Sequence, residues 1–270
     1  RERRAWYPCA NEVADADRVS GKHPTVTWVD DCVTTPVASC HAAALGVILG
    51  QPTQDTPMRL LLSTVLSLAT AVSAAAGPVS FANDWKEQRL SLFSSNDYTF
   101  GQNLGLVSQG SVSIAWARVD RSEWGTEGAS WNWTVDQSVP PTDLSLKGGD
   151  DRNISLYFVF VPESLAPGLE GANIRSLLGN DDVRIVQYAW GGNHARGQVI
   201  PSPYGPQGEG VTIALRQAST GSFSESVDLA ADYARAFDGD KGALIGLAVS
   251  GDSDDTDSVI RAALGNLTLR

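Results

Sequence analysis

Alternation of apolar and polar residues predicts that the second half of this chain is built mainly from short β-strands. The clearest case is Ile154–Val161, where Ile154, Leu156, Phe158 and Phe160 fall on one face and Tyr157 on the other. Six further strands are predicted at Val107–Arg118, Ser130–Val135, Val183–Trp190, Val211–Arg216, Leu244–Ser250 and Ala262–Leu269. Gly, Pro, Asn and Asp separate these strands, and no alternation of strands with helices is present. The pattern therefore favours an antiparallel β-sandwich.

Two short segments carry helical signals. In Asp228–Phe237, Leu229, Tyr233 and Phe237 recur at four-residue spacing behind an aspartate suited to the N-cap. Ile174–Leu178 is a second, shorter candidate within the long connection Pro162–Asp182. Long connections often form the rim or lid of a site, but we favour a surface segment that wraps over a sheet edge.

The only methionine, Met58, begins a segment typical of a secretory signal peptide. Arg59 supplies a positive charge, Leu60–Ala71 is apolar, and small residues suited to cleavage follow. We expect a signal peptide at 58–76, an untranslated or disordered leader at 1–57 and one β-sandwich domain at 77–270. The alternative is a membrane anchor, but the apolar segment is shorter than the roughly 20 residues that a spanning helix needs. The expected location is periplasmic or secreted, with no stable membrane anchor after cleavage.

Composition narrows the range of partners. The chain has 20 Lys and Arg against 31 Asp and Glu, a net charge of −11, and no basic run. Nucleic acid is therefore not an expected partner, because phosphate binding requires clustered basic side chains. All three cysteines precede Met58, so we expect neither a disulfide nor a thiolate site in the 77–270 domain.

Several motifs, taken in order, resemble those of the bacterial family named domain of unknown function 3047. They are Trp131-x-Trp133, Pro140-Pro141-x-Asp143-Leu144, Gly148-Gly149-Asp150-Asp151-Arg152, Tyr188-x-Trp190-Gly191, Ser202-Pro203-Tyr204, Asp232-Tyr233-x-Arg235-x-Phe237 and Asp252-Ser253-Asp254-Asp255-Thr256. The resemblance spans roughly Trp85 to Leu269. Two positions depart from the family pattern, since Asn is common at Asp255 and Trp is common near Phe223. The resemblance implies an exported β-rich envelope protein and no defined activity.

An acidic cluster after the strand Leu244–Ser250 is the candidate metal site. Asp252, Asp254 and Asp255 supply only oxygen ligands, which suit Ca²⁺. The spacing does not match an EF-hand loop. The alternative is a solvated acidic turn in which the aspartates cap backbone amides.

His194 is the only histidine after the signal segment, so zinc sites that need two histidines are excluded there. It is a candidate catalytic base, with Tyr188 or Tyr204 as the acid and Arg196 to neutralise a uronate carboxylate. Arg152 and Asp151 are further catalytic candidates. The alternative is a loop histidine with no chemical role.

Aromatic side chains supply candidate sugar platforms, because their faces stack on sugar rings. Trp124, Trp190 and Tyr204 are the candidate ligand-binding residues. Trp124 lies among polar residues and is expected to be the most exposed, whereas Trp190 lies within a predicted strand, where a core position is the alternative.

These features lead us to expect an exported mainly β protein, a sandwich of the jelly-roll, galactose-binding or concanavalin-like kind with one or two short helices. Our first hypothesis is a non-catalytic domain that binds a carbohydrate or another small ligand, and calcium. A polysaccharide lyase or hydrolase and a structural envelope protein are the alternatives. Binding predicts Trp124 or Tyr204 exposed on a concave face, and catalysis predicts His194 in one cleft with an arginine and a carboxylate. The sequence does not indicate an oligomeric state.

Overall fold

Two β-sheets pack face to face in the part of the chain that the computed structural model describes, residues 77–204 and 208–270. The expected leader and signal peptide lie outside these residues. The described residues form twelve strands: β1 Lys86–Arg89, β2 Asp97–Thr99, β3 Leu104–Gln109, β4 Val112–Arg118, β5 Gly128–Gln137, β6 Arg152–Val161, β7 Arg184–Gly191, β8 Val199–Pro201, β9 Gly210–Arg216, β10 Gly221–Asp228, β11 Ala243–Asp252 and β12 Val259–Leu269. Three helices accompany them: α1 Ala166–Leu169, α2 Ile174–Leu177 and α3 Leu229–Phe237.

The larger sheet has seven strands in the order β1-β4-β11-β6-β7-β9-β8, and the smaller has five in the order β10-β5-β12-β3-β2. Neighbouring strands are antiparallel except β7 and β9, which are parallel. The predicted mainly β, antiparallel sandwich is confirmed. We call the side of the seven-stranded sheet that faces the smaller sheet its inner face, and the opposite side its outer face.

Aromatic side chains fill the core between the sheets. Trp131 and Trp133 of β5 are 1% exposed, and their ring centroids lie 5.4 Å apart in an edge-to-face arrangement. Across the interface, Trp131 packs against Phe158 and Tyr188, and Trp133 packs against Trp190. The inner-face pattern read from Ile154–Val161 is confirmed by this packing.

Gly110 divides a segment that the sequence analysis treated as one strand. The predicted Val107–Arg118 strand is instead divided into β3 and β4, which lie in different sheets. Gly110 stands in the connection with a φ of 55°, a left-handed conformation that glycine adopts without steric cost. Strands β1, β2, β8 and β10 were not predicted, because three are very short and β10 alternates serine with few apolar residues.

Helix α3 begins as predicted, since the Asp228 carboxylate accepts a hydrogen bond from the Ala231 amide. The predicted helical turn near Ile174 is also present as α2. However, the long connection does not wrap a sheet edge. Ala166 of α1 and Leu177 of α2 pack on Val159, Val161 and Ile245 of the outer face, because these apolar side chains need cover. None of the helices in the described residues is long and apolar enough to cross a membrane.

Truncating the centre of the aromatic core is expected to destabilise the sandwich. Phe158→Ala should lower the free energy of unfolding by about 3–5 kcal/mol, because the cavity it leaves lies between rings that cannot collapse into it. Urea unfolding followed by tryptophan fluorescence measures the loss. Phe93→Ala is the control, since Phe93 is 99% exposed. Equal losses in the two variants would contradict this packing.

Candidate functional site

A row of side chains crosses the outer face of the seven-stranded sheet at right angles to its strands. Strand register places Trp116 of β4, Ala248 of β11, Tyr157 of β6, Gln187 of β7 and Thr212 of β9 next to one another. At a strand spacing of about 4.8 Å, the row is about 19 Å long. Gln187 is held within it, because its amide accepts from Thr212 and donates to Ser155.

Four members of the row, Ala248, Tyr157, Gln187 and Thr212, line a groove that is partly open to solvent. Of these, Tyr157, Ala248 and Thr212 are at most 8% exposed. The walls come from three connections, which contribute Leu144, Ile174 of α2 with Leu178 just after it, and Ser202–Tyr204. A smaller depression lined by Trp116 and Arg118 continues from it and shares Val159 and Ile185. We call the larger space the outer-face groove.

Arg152 closes one end of the outer-face groove. Its Nη1 donates to the carboxylates of Asp150 at 3.0 Å and Asp252 at 3.2 Å, and its Nη2 donates to the Tyr157 hydroxyl at 2.9 Å. The Tyr157 hydroxyl also shares a 2.8 Å hydrogen bond with Ser250. Arg152, Asp150 and Asp252 are all at most 6% exposed. An arginine can be buried here because two carboxylates neutralise it.

Tyr204 connects the wall to this end of the groove. Its hydroxyl donates to Asp150 at 2.6 Å and accepts from the Gly148 amide. Burial and the hydrogen bond to Asp150 raise the pKa of Tyr204, so the phenol remains a neutral donor. The Tyr204 ring is half-buried and lines the outer-face groove.

Beside Arg152 lies a group of three carboxylates that could hold a metal ion. Oxygens of Asp151, Asp252 and Asp254 all lie within 4.8 Å of one another. Calcium–oxygen bonds of about 2.3–2.6 Å allow a single ion to reach oxygens at this separation. Asp252 and Asp254 lie in one cluster, as predicted, but the third member is Asp151 rather than Asp255. We call this group the aspartate cluster.

Local hydrogen bonds fix the geometry of the aspartate cluster. The Asp151 carboxylate accepts from the backbone amides of Asp255 and Thr256 and from the Thr256 hydroxyl, so it anchors the turn that carries Asp254. In the described residues, Oδ1 of Asp252 is buried and has no hydrogen-bond partner. Burial raises the pKa of Asp252 and nearby carboxylates add to the rise, although Arg152 lowers it. A cation would offset this accumulation of negative charge.

Three of the residues proposed for catalysis, His194, Tyr188 and Arg196, each contact a different part of the fold. Nε2 of His194 accepts the Leu144 amide at 3.0 Å and lies 3.2 Å from Asp143, so His194 supports the turn at Leu144. The Tyr188 hydroxyl donates to Asp232 of α3, and Arg196 pairs with buried Glu225. His194, Tyr188 and Arg196 are not among the residues that line the groove. The structure therefore corrects the proposed His194–tyrosine–arginine site.

Trp190 and Trp124, the two tryptophan candidates for ligand binding, both pack within the fold. Trp190 is 0% exposed in the core between the sheets, so it cannot contact a ligand from solvent. Trp124 is half-buried against the core, and its indole N–H donates to the Val119 carbonyl. The expectation that Trp124 is an open platform is thus corrected. Tyr157 and Gln187 were not selected from the sequence, although the alternation in β6 had already placed Tyr157 on the face opposite the core.

A family model described as "Protein of unknown function (DUF3047)" matches residues 83–268. The chain belongs to this family. The resemblance inferred from the motifs is thereby confirmed, and the family description assigns no activity. No curated protein sequence matches the chain.

Two solved structures are similar in fold. One is the xyloglucanase domain of NopAA, a type three effector from Sinorhizobium fredii, in complex with cellobiose, with 11% identity over 72% of this chain and 95% of that domain and a TM-score of 0.37. The other is the K3 cleaved adhesin domain of Lys-gingipain from Porphyromonas gingivalis w83, with 10% identity over 70% of this chain and 93% of that domain and a TM-score of 0.33. Neither likeness transfers a ligand or an activity to this chain.

Replacing Arg152 with an uncharged residue is expected to destabilise the folded protein. Arg152→Met should lower the free energy of unfolding at pH 7 by about 3–5 kcal/mol, because Asp150 and Asp252 would remain buried without their counter-ion. The difference from the wild type should shrink as the pH falls and Asp252 becomes protonated, because burial raises the pKa of Asp252. Urea unfolding in a chelator measures both effects. Arg89→Met, at an exposed ion pair, should change stability little, and an equally small change for Arg152→Met would contradict the assignment.

Proposed function

We propose that this protein is an exported, non-catalytic domain that binds a neutral carbohydrate chain in the outer-face groove. The observation that carries the proposal is the continuous row from Trp116 through Tyr157 and Gln187 to Thr212. It combines aromatic rings, an amide and a hydroxyl, the groups that stack on sugar rings and hydrogen-bond to sugar hydroxyls. The part of the row within the groove, from Ala248 to Thr212, is about 14 Å long, which is suited to a short oligosaccharide rather than a single sugar.

Charge favours a neutral ligand over an anionic one. The positive charge of Arg152, the arginine that lines the groove, is already matched by Asp150 and Asp252. A uronate or sulfate entering the groove would therefore meet carboxylates without a free counter-charge. The net charge of −11 points the same way. The export signal predicted from the sequence supports a periplasmic or secreted location.

We further propose Ca²⁺ as the ion of the aspartate cluster. Its candidate ligands are carboxylate oxygens alone, which suit a hard cation. The unpartnered, buried Oδ1 of Asp252 supports an ion there, because a buried acceptor without a partner is unfavourable. The hydrogen bonds that the Asp151 carboxylate accepts hold this ligand in place before an ion arrives.

The enzymatic alternative has less support. A lyase or hydrolase needs an acid and a base that meet at the substrate. Among the described residues, His194 is engaged with the turn at Leu144 and does not line the groove. Asp150, the carboxylate that lines the groove, is occupied by Arg152.

Loss of the groove aromatic ring should weaken glycan binding. Tyr204→Ala is expected to raise the Kd for a neutral oligosaccharide by about tenfold or more, equivalent to about 1.4 kcal/mol, because a stacking surface and a donor are lost. Calorimetry with a panel of neutral oligosaccharides, cellobiose among them, and with oligouronates measures this. Phe93→Ala, at an exposed aromatic ring outside the groove, is the control. Preferred binding of the oligouronates would contradict the neutral class, and equal binding by both variants would place the ligand elsewhere.

Calcium should stabilise the folded protein. Adding Ca²⁺ to chelator-treated protein is expected to raise the Tm, with a stabilisation of about 2.7 kcal/mol at a free concentration of 100 times Kd. Asp254→Asn should abolish the rise, whereas Asp136→Asn, at an exposed position on β5, should preserve it. Scanning calorimetry with Ca²⁺ and Mg²⁺ checks the claim. An unchanged Tm at millimolar Ca²⁺ would reduce the cluster to an acidic turn.

A further inference from the structure

The carboxylate of Asp252 belongs to both candidate sites. It is one of the three members of the aspartate cluster, and its Oδ2 accepts a hydrogen bond from Arg152 at the end of the outer-face groove. The side chain is 7% exposed, and its other oxygen has no partner in the described part of the chain. Asp252 is therefore placed to bind an ion and Arg152 simultaneously.

Arg152 connects Asp252 to residues that line the groove. Besides Asp252, it holds the Asp150 carboxylate and the Tyr157 hydroxyl. Asp150 in turn accepts from Tyr204. Asp150, Arg152, Tyr157 and Tyr204 all line the groove. A shift of the Asp252 carboxylate would thus move the donors and acceptors that face a ligand.

The cluster itself lies beside the groove and not in it. Asp151, Asp252 and Asp254 are absent from the residues that line the groove. An ion held by them would therefore act on a bound glycan through Arg152 rather than by coordinating a sugar hydroxyl. In this respect the arrangement differs from a site in which the ion is itself the sugar receptor.

A bound ion would change the electrostatic environment of the ion pair between Asp252 and Arg152. The carboxylates of Asp150, Asp151 and Asp254 all act on the carboxylate of Asp252, whose positively charged partner is Arg152. Without an ion, repulsion among the carboxylates acts on Asp252, the acceptor that Arg152 needs. A divalent cation offsets that repulsion and fixes Asp252 in the position that pairs with Arg152.

We propose that a divalent cation in the aspartate cluster switches the outer-face groove into its ligand-binding arrangement by fixing Asp252 and, through it, Arg152 and Tyr157. This inference rests on the carbohydrate-binding function proposed above and assigns its regulation. The coupling is reciprocal, so the glycan must raise the affinity for Ca²⁺ by the same factor by which Ca²⁺ raises the affinity for the glycan.

The first measurement needs no glycan. In the full chain labelled with ¹⁵N-arginine, Ca²⁺ alone is expected to shift the Nε–H resonance of Arg152 and to slow its exchange with water. The resonance is assigned with Arg152→Lys. Asp254→Asn should abolish the shift, and Asp136→Asn should retain it. Calcium binding, seen as a rise in Tm, with an unchanged Arg152 resonance would overturn the proposal.

The second measurement is the Kd of the best neutral oligosaccharide with Ca²⁺ and with chelator. We expect Ca²⁺ to strengthen binding by about 5- to 150-fold, the usual range of coupling between two sites. Asp254→Asn should bind as the chelated wild type does. Equal affinity with and without Ca²⁺ would overturn the coupling and leave carbohydrate binding intact. A calcium-dependent Arg152 shift with no glycan bound would support the ion's control of the groove and overturn the carbohydrate class.

Discussion

The buried ion pairs of Arg152 are the constraint on which this end of the molecule depends. The guanidinium group lies between Asp150 and Asp252, which are separated by 102 positions in the chain and brought together by adjacent strands. Each charge is tolerated in the interior only because the others are present. The same contacts align Tyr157 and Tyr204, so one electrostatic arrangement defines both the end of the groove and the edge of the aspartate cluster.

The two faces of the larger sheet differ in the side chains that they carry. Its inner face is packed with aromatic rings that hold the two sheets together, whereas its outer face presents rings, an amide and a hydroxyl in register. Helices α1 and α2 bury only part of the outer face, and Ile174 and Leu178 also form a wall of the groove. The proposed recognition surface therefore lies on the side of these strands opposite the core.

The fold class, the long strands and the capped helix α3 could be predicted from the sequence, because they depend on periodicity and local capping. The sequence also placed Asp252 and Asp254 together, since the two are close in the chain. The contribution of Asp151 to that cluster, the pairing of Arg152 with Asp252 and the row through Gln187 depend on strand register between distant segments. The parallel pairing of β7 and β9 likewise could not be predicted from the local sequence of either strand. His194 was considered a catalytic candidate because it is the only histidine after the signal segment, and its surroundings in the fold could not be predicted from the sequence.

The most direct test of this account is a high-resolution crystal structure of the protein grown with Ca²⁺ and a neutral oligosaccharide. The account predicts anomalous density for one ion among Asp151, Asp252 and Asp254, and an oligosaccharide lying across the strands over Tyr157 and Gln187 with Arg152 still paired to Asp252. An oligosaccharide on the five-stranded sheet, or an ion that displaces Arg152 from Asp252, would contradict it.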